Sequence, residues 1–470
     1  MEPSAALPPG PAESAWTQLW RYVPRPGEFL ERCRRDHGDR FTVRLAGFGT
    51  FVMLARPSAV LEVFRGDPTA LHSGEANRFL AAIVGSRSVL VLDEEAHAEQ
   101  RRALVPALHG ERMRAHVDSM RQATEESIAT WPRGASFPLE PMLREITLRT
   151  ILEVVLGIGG RAADDPAPAR TERLRRDIVQ LLTYSRVPFA IVLAQITPHR
   201  LLKRLPFLPY YRELRRIDAT LRELLCERRD RAARSQDDRV AGDDVVADLL
   251  RARRSDGTTP DVEELRDAVM TLLLAGHDTT AVALAWVFEQ VLERPVVHAA
   301  LRAEILRVVG EERVRAEHLP RLPYLDAVVH EALRLRTVVP FVTRRVMRPL
   351  RVDGHDFPAG VHLCPCSHLV HRDADLYPGP ETFRAERFLE RRFGPHEWFP
   401  FGGGDRLCTG MAFALTQMKV VIATVLSRID LRRPVGARSR VVRRGVLMAP
   451  SDGVSVAVAG TSRPRGESAA

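Results

Sequence analysis

The feature that most constrains this chain of 470 residues is a long apolar segment bounded by Pro260 and Pro295. Thr259 can cap a helix, Pro260 suits the first helical position, and Pro295 ends the segment. The predicted helix has about 34 residues and a length of roughly 50 Å. Residues 270–275 and 281–287 are apolar on every face, so the middle of this helix must be buried.

Polar residues interrupt that apolar middle at Gly276-His277-Asp278-Thr279-Thr280. A glycine, a carboxylate and two hydroxyls are unfavourable inside a buried helix, and such local conflicts tend to mark functional sites. The structural alternative is a kink in which the threonine hydroxyls bond to carbonyls one turn back and Asp278 pairs with a neighbouring arginine. On this segment alone both interpretations are open.

The rest of the chain is predicted to be mainly α with a small β portion. Helical periodicity runs from about Pro57 to Leu335, and short strands are expected at residues 41–45, 50–54 and 338–363. No clean linker divides the chain, which favours a single domain over residues 24–460. The Pro-rich residues 1–23 and the tail 461–470 are expected to be disordered.

The charge is basic, with 69 Lys and Arg against 60 Asp and Glu, a formal net charge of +9. Nearly all the basic residues are arginines, and they are interleaved with acidic residues along helical segments. This pattern is typical of a solvated surface and argues against nucleic-acid binding, which needs a clustered basic face. A weaker hypothesis is that some of the excess forms a docking face for an acidic protein partner.

The cysteine count and the N-terminus bear on the compartment. Five cysteines at irregular spacing do not form a disulfide framework and fit a reducing environment. Residues 1–25 contain no apolar run long enough for a signal peptide or a membrane span. We therefore expect a cytoplasmic protein without a membrane anchor.

One cysteine lies in a glycine-rich loop, Phe401 to Gly410, that leads into an apolar helix. Three consecutive glycines allow tight turns and the close approach of a flat ligand. A cysteine at a helix N-terminus favours the thiolate, so Cys408 is a good single axial ligand for iron. The alternative, a buried structural cysteine after a turn, does not explain why Phe401, Gly404, Arg406 and Gly410 surround it.

Five residues of this loop match the F-x-x-G-x-R-x-C-x-G signature of the cytochromes P450: Phe401, Gly404, Arg406, Cys408 and Gly410. Three further segments resemble motifs of that family and follow in its order: residues 275–280, the oxygen-activating helix motif; residues 331–334, the E-x-x-R helix; and residues 385–388, the E-R-F element. The resemblance covers roughly residues 24–458 and implies the cytochrome P450 fold.

The resemblance also implies roles for single residues. Cys408 would be the proximal ligand of haem b (iron protoporphyrin IX). Asp278 and Thr279 would be the acid–alcohol pair that helps to deliver protons to dioxygen. Ala275 and Gly276 would line the cofactor side of the helix, with Gly276 leaving room for oxygen.

Other residues would hold the haem or support it from behind. Glu331, Arg334 and Arg387 would form a buried structural network behind the cofactor. The propionates would be met by four further residues: His97, Arg101, Arg344 and Arg406. Either Arg344 or its neighbour Arg345 could be the arginine that meets the propionate. For His97 and Arg101, composition alone favours a solvated helix face.

The implied function is that of a monooxygenase, which inserts one oxygen atom from O2 into a small, mostly apolar organic substrate. Residues 72–92, 270–275 and 338–343 would face the substrate, and they are largely apolar. Electrons would come from a separate partner, expected to be a ferredoxin with its ferredoxin reductase. The alternative is a haem sensor or an electron-transfer protein without catalysis.

Overall fold

The computed structural model describes residues 6–158, 168–184, 209–234, 244–253 and 257–461. Within these ranges the chain is mainly helical, as predicted. The α-helices are Ala15–Tyr22, Pro26–His37, Pro57–Phe64, Ser73–Ala76, Ala81–Val84, Glu94–Leu104, Glu111–Ala129, Leu139–Leu156, Pro168–Tyr184, Pro209–Arg234, Val245–Arg251, Val262–Leu292, Pro295–Val309, Pro323–Leu335, Ser367–Val370, Arg387–Glu390 and Met411–Arg428.

The strands form small sheets, all within the described ranges. They are β1 (Arg40–Leu45), β2 (Gly49–Leu54), β3 (Leu71–His72), β4 (Phe137–Pro138), β5 (Arg344–Val346), β6 (Leu350–Val352), β7 (His355–Phe357), β8 (His362–Pro365), β9 (Ile429–Arg432), β10 (Val441–Arg444), β11 (Leu447–Pro450) and β12 (Ser455–Thr461). The largest sheet has the order β1-β2-β8-β5-β3. The predicted hairpin is confirmed, since β1 pairs antiparallel with β2 and places Arg40 opposite Leu54.

The helix Val262–Leu292, called the central helix below, begins later than the sequence suggests. Asp261 caps it, not Thr259: the Asp261 carboxylate accepts the backbone N–H of Glu264, and the Glu264 carboxylate accepts that of Asp261, both at 2.9 Å. This reciprocal capping box satisfies two free amides at once. The prediction of Thr259 as the cap was therefore wrong by two positions.

Burial of the central helix follows from its composition. The central helix packs most extensively against the helix Leu139–Leu156, and most of its residues are buried. Two described helices, the central helix and Met411–Arg428, are long and apolar enough to cross a membrane, yet most of each apolar stretch lies inside the protein. Both therefore have the burial of core helices.

The N-terminal segment differs from the prediction. Residues 6–23 were expected to be disordered, but the described part is packed on the sheet. Thr42 in β1 donates its backbone N–H to the Pro9 carbonyl at 2.9 Å and its hydroxyl to the Pro8 carbonyl at 2.7 Å. Proline lacks an N–H but keeps its carbonyl acceptor, so a Pro-rich segment can still attach to a strand. The helix Ala15–Tyr22 follows, capped by Ser14.

The C-terminal tail differs at its first residue. Thr461, the first residue of the tail that was expected to be disordered, ends β12 and lies opposite Ile429 of β9. Residues 1–5 and 462–470 lie outside the described residues.

Candidate active site

The cysteine loop, residues 401–410, is held by its own backbone. Gly402 and Gly404 adopt φ values of 71° and 68°, which favour glycine, so the predicted tight turns are present. The Cys408 N–H donates to the Phe401 carbonyl at 3.0 Å. The helix that follows begins at Met411, three residues later than expected.

The close approach that these glycines permit is to protein. A Cβ on Gly403 would lie 2.3 Å from the Phe64 ring, and one on Gly404 would lie 2.2 Å from the Phe64 carbonyl oxygen. Both contacts are too short for any other residue. The interpretation that these glycines make room for a flat ligand is therefore wrong for Gly403 and Gly404, which seat the loop on the end of the helix Pro57–Phe64. At Gly410 a Cβ would meet only the Cys408 sulfur, at 4.0 Å.

Cys408 combines an exposed side chain with an interior position. Its side chain is exposed, yet burial of the surrounding loop raises the pKa of its thiol, while the Gly410 N–H and Arg101 act in the opposite direction. The sulfur is therefore accessible to a ligand although many protein atoms surround it. The described residues contain no group of three or more His, Cys, Asp or Glu side chains suited to a metal ion. Iron here would have Cys408 as its protein ligand, which fits a porphyrin that supplies the other donors.

Arg344 is a buried cation next to this loop. It is 3% exposed and donates to the carbonyls of Thr343 and Gly403, both at 3.1 Å. Burial lowers its pKa to about 10, and it forms no ion pair with a residue in the described ranges. Arg345, in contrast, is more exposed and pairs with Glu75 at 3.4 Å. A buried charge without a partner is costly, so Arg344 is suited to an anionic ligand.

The helix Glu94–Leu104 brings two further predicted residues to the loop. Arg101 donates to the Leu407 carbonyl at 2.5 Å. His97 is 5% exposed, and burial, followed by the nearby Arg406, lowers its pKa to about 4. The solvated-face interpretation is therefore wrong for His97, and this imidazole is neutral at pH 7 in the bare protein.

Arg406 has a partner that sequence reasoning missed. Its guanidinium pairs with the Asp93 carboxylate at 2.5 Å and donates to the Leu92 carbonyl at 2.7 Å. Asp93 directly precedes the helix Glu94–Leu104, which is the usual place of a capping residue, although its side chain makes no capping hydrogen bond. Only its long-range contacts distinguish it from an ordinary cap.

The interrupted part of the central helix is less buried than its flanks. Ala275 is exposed, and Gly276, Asp278 and Thr279 are half-buried, in a helix that is otherwise buried on both sides of them. The Thr279 hydroxyl donates to the Ala275 carbonyl at 2.6 Å. These side chains are therefore accessible in the middle of a core helix.

Asp278 pairs with Arg144 of the helix Leu139–Leu156. Arg144 also binds Glu140, at 2.6 Å and 2.9 Å, and the Thr280 hydroxyl donates to the Gly276 carbonyl at 2.8 Å. The structural alternative required threonine–carbonyl hydrogen bonds and an arginine partner for Asp278, and both are present. The kink that it also required is absent from this described helix, which is continuous from Val262 to Leu292. These contacts coexist with the half-buried surface, and the functional role of Asp278 and Thr279 stays a prediction.

Gly276 has a packing role. A Cβ on this residue would lie 3.0 Å from Ile151 Cδ1, so glycine lets the helix Leu139–Leu156 approach closely. Its role in leaving room for oxygen stays a prediction.

The predicted structural network is assembled. Arg334 binds both oxygens of Glu331, at 2.7 Å and 2.8 Å, and Arg387 binds Glu331 at 3.1 Å. Glu331 and Arg334 are fully buried. The Arg334 guanidinium also lies 4.9 Å from the centre of the Tyr377 ring. These contacts join the helix Pro323–Leu335 to the irregular segment before the cysteine loop.

An accessible cysteine in a glycine-rich loop, with the buried cation Arg344 bonded to the same loop, is the arrangement expected of a haem-thiolate protein. The comparisons with known proteins agree with this class. The family model described as Cytochrome P450 matches residues 7–456. The chain therefore belongs to the cytochrome P450 family.

Similar proteins include cytochrome P450 135B1 of Mycobacterium tuberculosis, 37% identical over 97% of this chain and 92% of that protein. Cytochrome P450 138 of the same species is 33% identical over 96% of each. Among solved structures, a retinoic-acid-bound cyanobacterial P450, CYP120A1, has a TM-score of 0.81 at 22% identity and covers 98% of this chain and 100% of that one. The haem domain of cytochrome P450DA has a TM-score of 0.82 at 21% identity, with 98% and 99% covered.

The solved structures establish the cytochrome P450 fold. Membership of the family implies a haem-dependent monooxygenase that uses O2, an organic substrate and a redox partner.

Proposed function

We propose that this protein, folded as a single domain, inserts one oxygen atom from O2 into a small, mostly apolar organic molecule. The cofactor would be haem b, and a ferredoxin with its reductase would supply the electrons in the cytoplasm. The observation that carries the proposal is the accessible Cys408 sulfur in a loop that also binds the buried guanidinium of Arg344.

Four residues would hold the cofactor. Cys408 would bind the iron as thiolate. Arg344 is favoured over Arg345 for a propionate because it is buried and has no carboxylate partner in the described ranges, whereas Arg345 is already paired. His97 and Arg101 would add a hydrogen bond and a positive charge from the helix Glu94–Leu104.

Arg406 would act on the cofactor through its charge while Asp93 fixes its position. The two residues carry opposite charges, so their pair adds little net potential at a distance. We therefore expect Arg344 to contribute more to anion binding than Arg406.

When bound, haem supplies an iron centre that activates dioxygen, and the thiolate favours cleavage of the O–O bond. The protein supplies the protons. Asp278 can hold a proton on a carboxylate oxygen only when it is released from Arg144, because the ion pair favours the charged form. The Thr279 hydroxyl donates a hydrogen bond to the Ala275 carbonyl, and the lone pairs of its oxygen can accept a further hydrogen bond. Together they can act as donor and relay.

An apolar substrate is supported by half-buried side chains in the three segments that the sequence predicts to face the substrate. Phe79, Leu80, Ile83 and Leu274 are all apolar and incompletely covered, as is Val339. Apolar walls with a few polar groups are typical of small-molecule pockets.

The test is the spectrum of the purified, haem-loaded protein. After reduction and carbon monoxide treatment, it should show the absorption band of thiolate-ligated haem. Cys408→Ala should lose the band, while the control Cys226→Ala should keep it. A folded protein without this band would overturn the proposal.

Catalysis is tested separately from haem binding. Apolar compounds that shift the haem spin state should then be oxidised, with oxygen consumption driven by NADPH through ferredoxin and its reductase. A haem-loaded protein that consumes no oxygen with any such compound would favour the sensor or electron-transfer alternative.

A further inference from the structure

The helix Pro295–Val309 has apolar side chains on its inward and outward faces alike. On the inward face, Leu301 is fully buried in the main core. On the outward face, Val296 is 82% exposed and Leu306 is 40% exposed. Between these two residues the outward face consists of three exposed alanines: Ala299, Ala300 and Ala303. A helix that is apolar all round is expected to be buried, so this outward face is suited to a partner.

The five outward residues Val296, Ala299, Ala300, Ala303 and Leu306, called the apolar stripe below, form a continuous row. Their spacings of three and four residues put them on one side of the helix. Another surface helix of this protein, Pro209–Arg234, instead turns arginines such as Arg215 and Arg216 to solvent. Single exposed apolar residues are ordinary, but a contiguous apolar patch marks an interaction site.

The apolar stripe is nearly symmetric about Leu301. The larger side chains, Val296 and Leu306, lie five residues to either side of it, and Ala299 and Ala303 lie two residues to either side. When two copies of this helix cross antiparallel at Leu301, Val296 of each copy is level with Leu306 of the other. The alanines then meet at the centre and let the helix axes approach to about 8 Å. A surface that matches itself under a two-fold rotation is what a symmetric dimer requires.

The charges at the ends of the helix favour the antiparallel direction. Glu293 lies just before the first turn, and Arg307 is exposed in the last turn. Antiparallel crossing puts Arg307 of each copy beside Glu293 of the other, whereas parallel crossing would bring the two Arg307 side chains together. Glu293 also binds Arg433 at 2.8 Å, which fixes its position. The two ends are therefore complementary in charge only when the helices run in opposite directions.

The size of the apolar stripe predicts a weak association. A helix of 15 residues is about 22 Å long, and a stripe one helix wide covers less than the roughly 800 Å² that each partner buries in a stable interface. We propose that the apolar stripe is the contact surface of a weak, antiparallel homodimer of this protein. The proposal concerns the protein surface alone and stands apart from the proposed function.

The test is sedimentation velocity of the haem-loaded, full-length protein over a range of concentrations. The wild type should change from a monomer of 52.7 kDa to a dimer, with a dissociation constant of about 1–100 µM. Ala303→Glu puts a carboxylate at the centre of the apolar stripe and should raise this constant about tenfold or more. A wild type that is still monomeric at about 200 µM would overturn the proposal.

Ala219→Glu is the matched control, because Ala219 is an exposed alanine of the helix Pro209–Arg234. This variant should dimerise like the wild type, and both variants should unfold at the wild-type temperature. Equal dissociation constants in Ala303→Glu and Ala219→Glu would exclude the apolar stripe as the contact surface.

Trp20, which is 76% exposed in the helix Ala15–Tyr22, provides the competing surface. Trp20→Ser should leave the dissociation constant of the dimer unchanged. A dimer that is lost in Trp20→Ser and kept in Ala303→Glu would lie on the helix Ala15–Tyr22, and the proposal would be wrong.

Disulfide cross-linking tests the direction of the two helices. The double variant Ala299→Cys/Ala303→Cys should cross-link on mild oxidation, because antiparallel crossing makes position 299 of one copy level with position 303 of the other. In each single variant the two new cysteines are about 6 Å apart along the helix axis. With the spacing between the helices added, their Cα atoms exceed the limit of about 7 Å for a disulfide.

The wild type, which has five cysteines of its own, is the control for cross-links elsewhere. A single variant that cross-linked as fast as the double variant would show parallel helices and would overturn the antiparallel dimer.

Discussion

Two buried arginine–carboxylate clusters in this protein use the same groups in different proportions. Around Glu331, one carboxylate serves two arginines, Arg334 and Arg387. The remaining Arg334 N–H groups reach backbone carbonyls, including His371 at 2.6 Å and Pro380 at 2.8 Å. Every charge is surrounded by fixed partners, and the carboxylate is fully buried.

Around Arg144 the arrangement differs, since this arginine serves two carboxylates, Glu140 and Asp278. Glu140 in turn binds Arg444 of β10, and its second oxygen, Oε2, has no hydrogen-bond partner in the structure. Asp278 keeps 16% of its side chain exposed. This cluster holds more acceptor capacity than its donors fill.

This difference indicates which of the two clusters can exchange its ion-pair partners. Moving any member of the Glu331 cluster would leave a buried N–H or a buried charge unpaired, which is costly. Arg144 can release Asp278 and keep Glu140. We infer that the first cluster is suited to hold structure and the second to exchange partners during proton delivery.

The largest expected effect is the loss of stability when the Glu331 cluster is broken. We call it the saturated cluster, because every charge in it has fixed partners. Glu331→Gln would leave two buried arginines without a counter-charge and should lower the free energy of unfolding by about 3–5 kcal/mol. Urea unfolding checks this value. The control Glu145→Gln changes an exposed glutamate and should stay within about 0.5 kcal/mol of wild type. A loss below about 1 kcal/mol at Glu331 would contradict the assigned role.

Asp278→Asn should have a small effect on folding and a large one on turnover. Arg144 keeps Glu140, so the protein should fold and bind haem. Removing a general acid typically costs about 100-fold in rate, and this loss should appear as less product per O2 consumed.

Asp118→Asn is the matched control for Asp278→Asn, because it changes an exposed carboxylate that also pairs with an arginine. Normal coupling in Asp278→Asn would remove its proposed role. If this variant lost as much stability as Glu331→Gln, the distinction between the two clusters would fail.

Glu140→Gln should sharpen the comparison with a smaller effect. Of the two carboxylates that bind Arg144, Asp278 would then be the one that keeps its charge. Arg144 should therefore release Asp278 less readily. We expect product formation to fall about threefold to tenfold, with a larger solvent isotope effect. An unchanged isotope effect would show that Glu140 does not tune the acid.

The sequence predicted what depends on local spacing. Glu331 and Arg334 are three residues apart on a helix, and Cys408 lies within one short loop, so their arrangement follows from chain geometry. Motif resemblance added the order of these segments along the chain. The fold class and the helical body followed from periodicity.

The partners that tune the site could not be predicted. Arg144 is 134 residues from Asp278, and Arg444 is 304 residues from Glu140. Glutamate and arginine one turn apart occur throughout this chain, so the spacing of Glu140 and Arg144 carries no signal of its own. Asp93 was hidden for a similar reason, since an aspartate before a helix resembles a cap.

A pH dependence of stability is expected at His371, whose backbone carbonyl accepts a hydrogen bond from Arg334 of the Glu331 cluster. The His371 ring, through Nε2, accepts the Phe399 N–H at 3.0 Å. Burial, and then the charge of Arg334, holds the pKa of His371 well below its ordinary value of 6.5. As the pH falls below 6.5, His371 therefore binds a proton in the unfolded chain but stays neutral in the folded protein. Stability from this group is full above pH 6.5 and falls by up to about 1.4 kcal/mol per pH unit below it.

His371→Gln isolates that contribution, because the amide oxygen can accept the same N–H and does not titrate. Other buried histidines remain in both proteins, so the difference between the two stability curves reports His371 alone. The wild type should lose stability more steeply than the variant as the pH falls from 6.5 to 4.5. Parallel curves would mean that protonation at this position is tolerated, and that the Glu331 cluster is less rigid than its saturated hydrogen bonds imply.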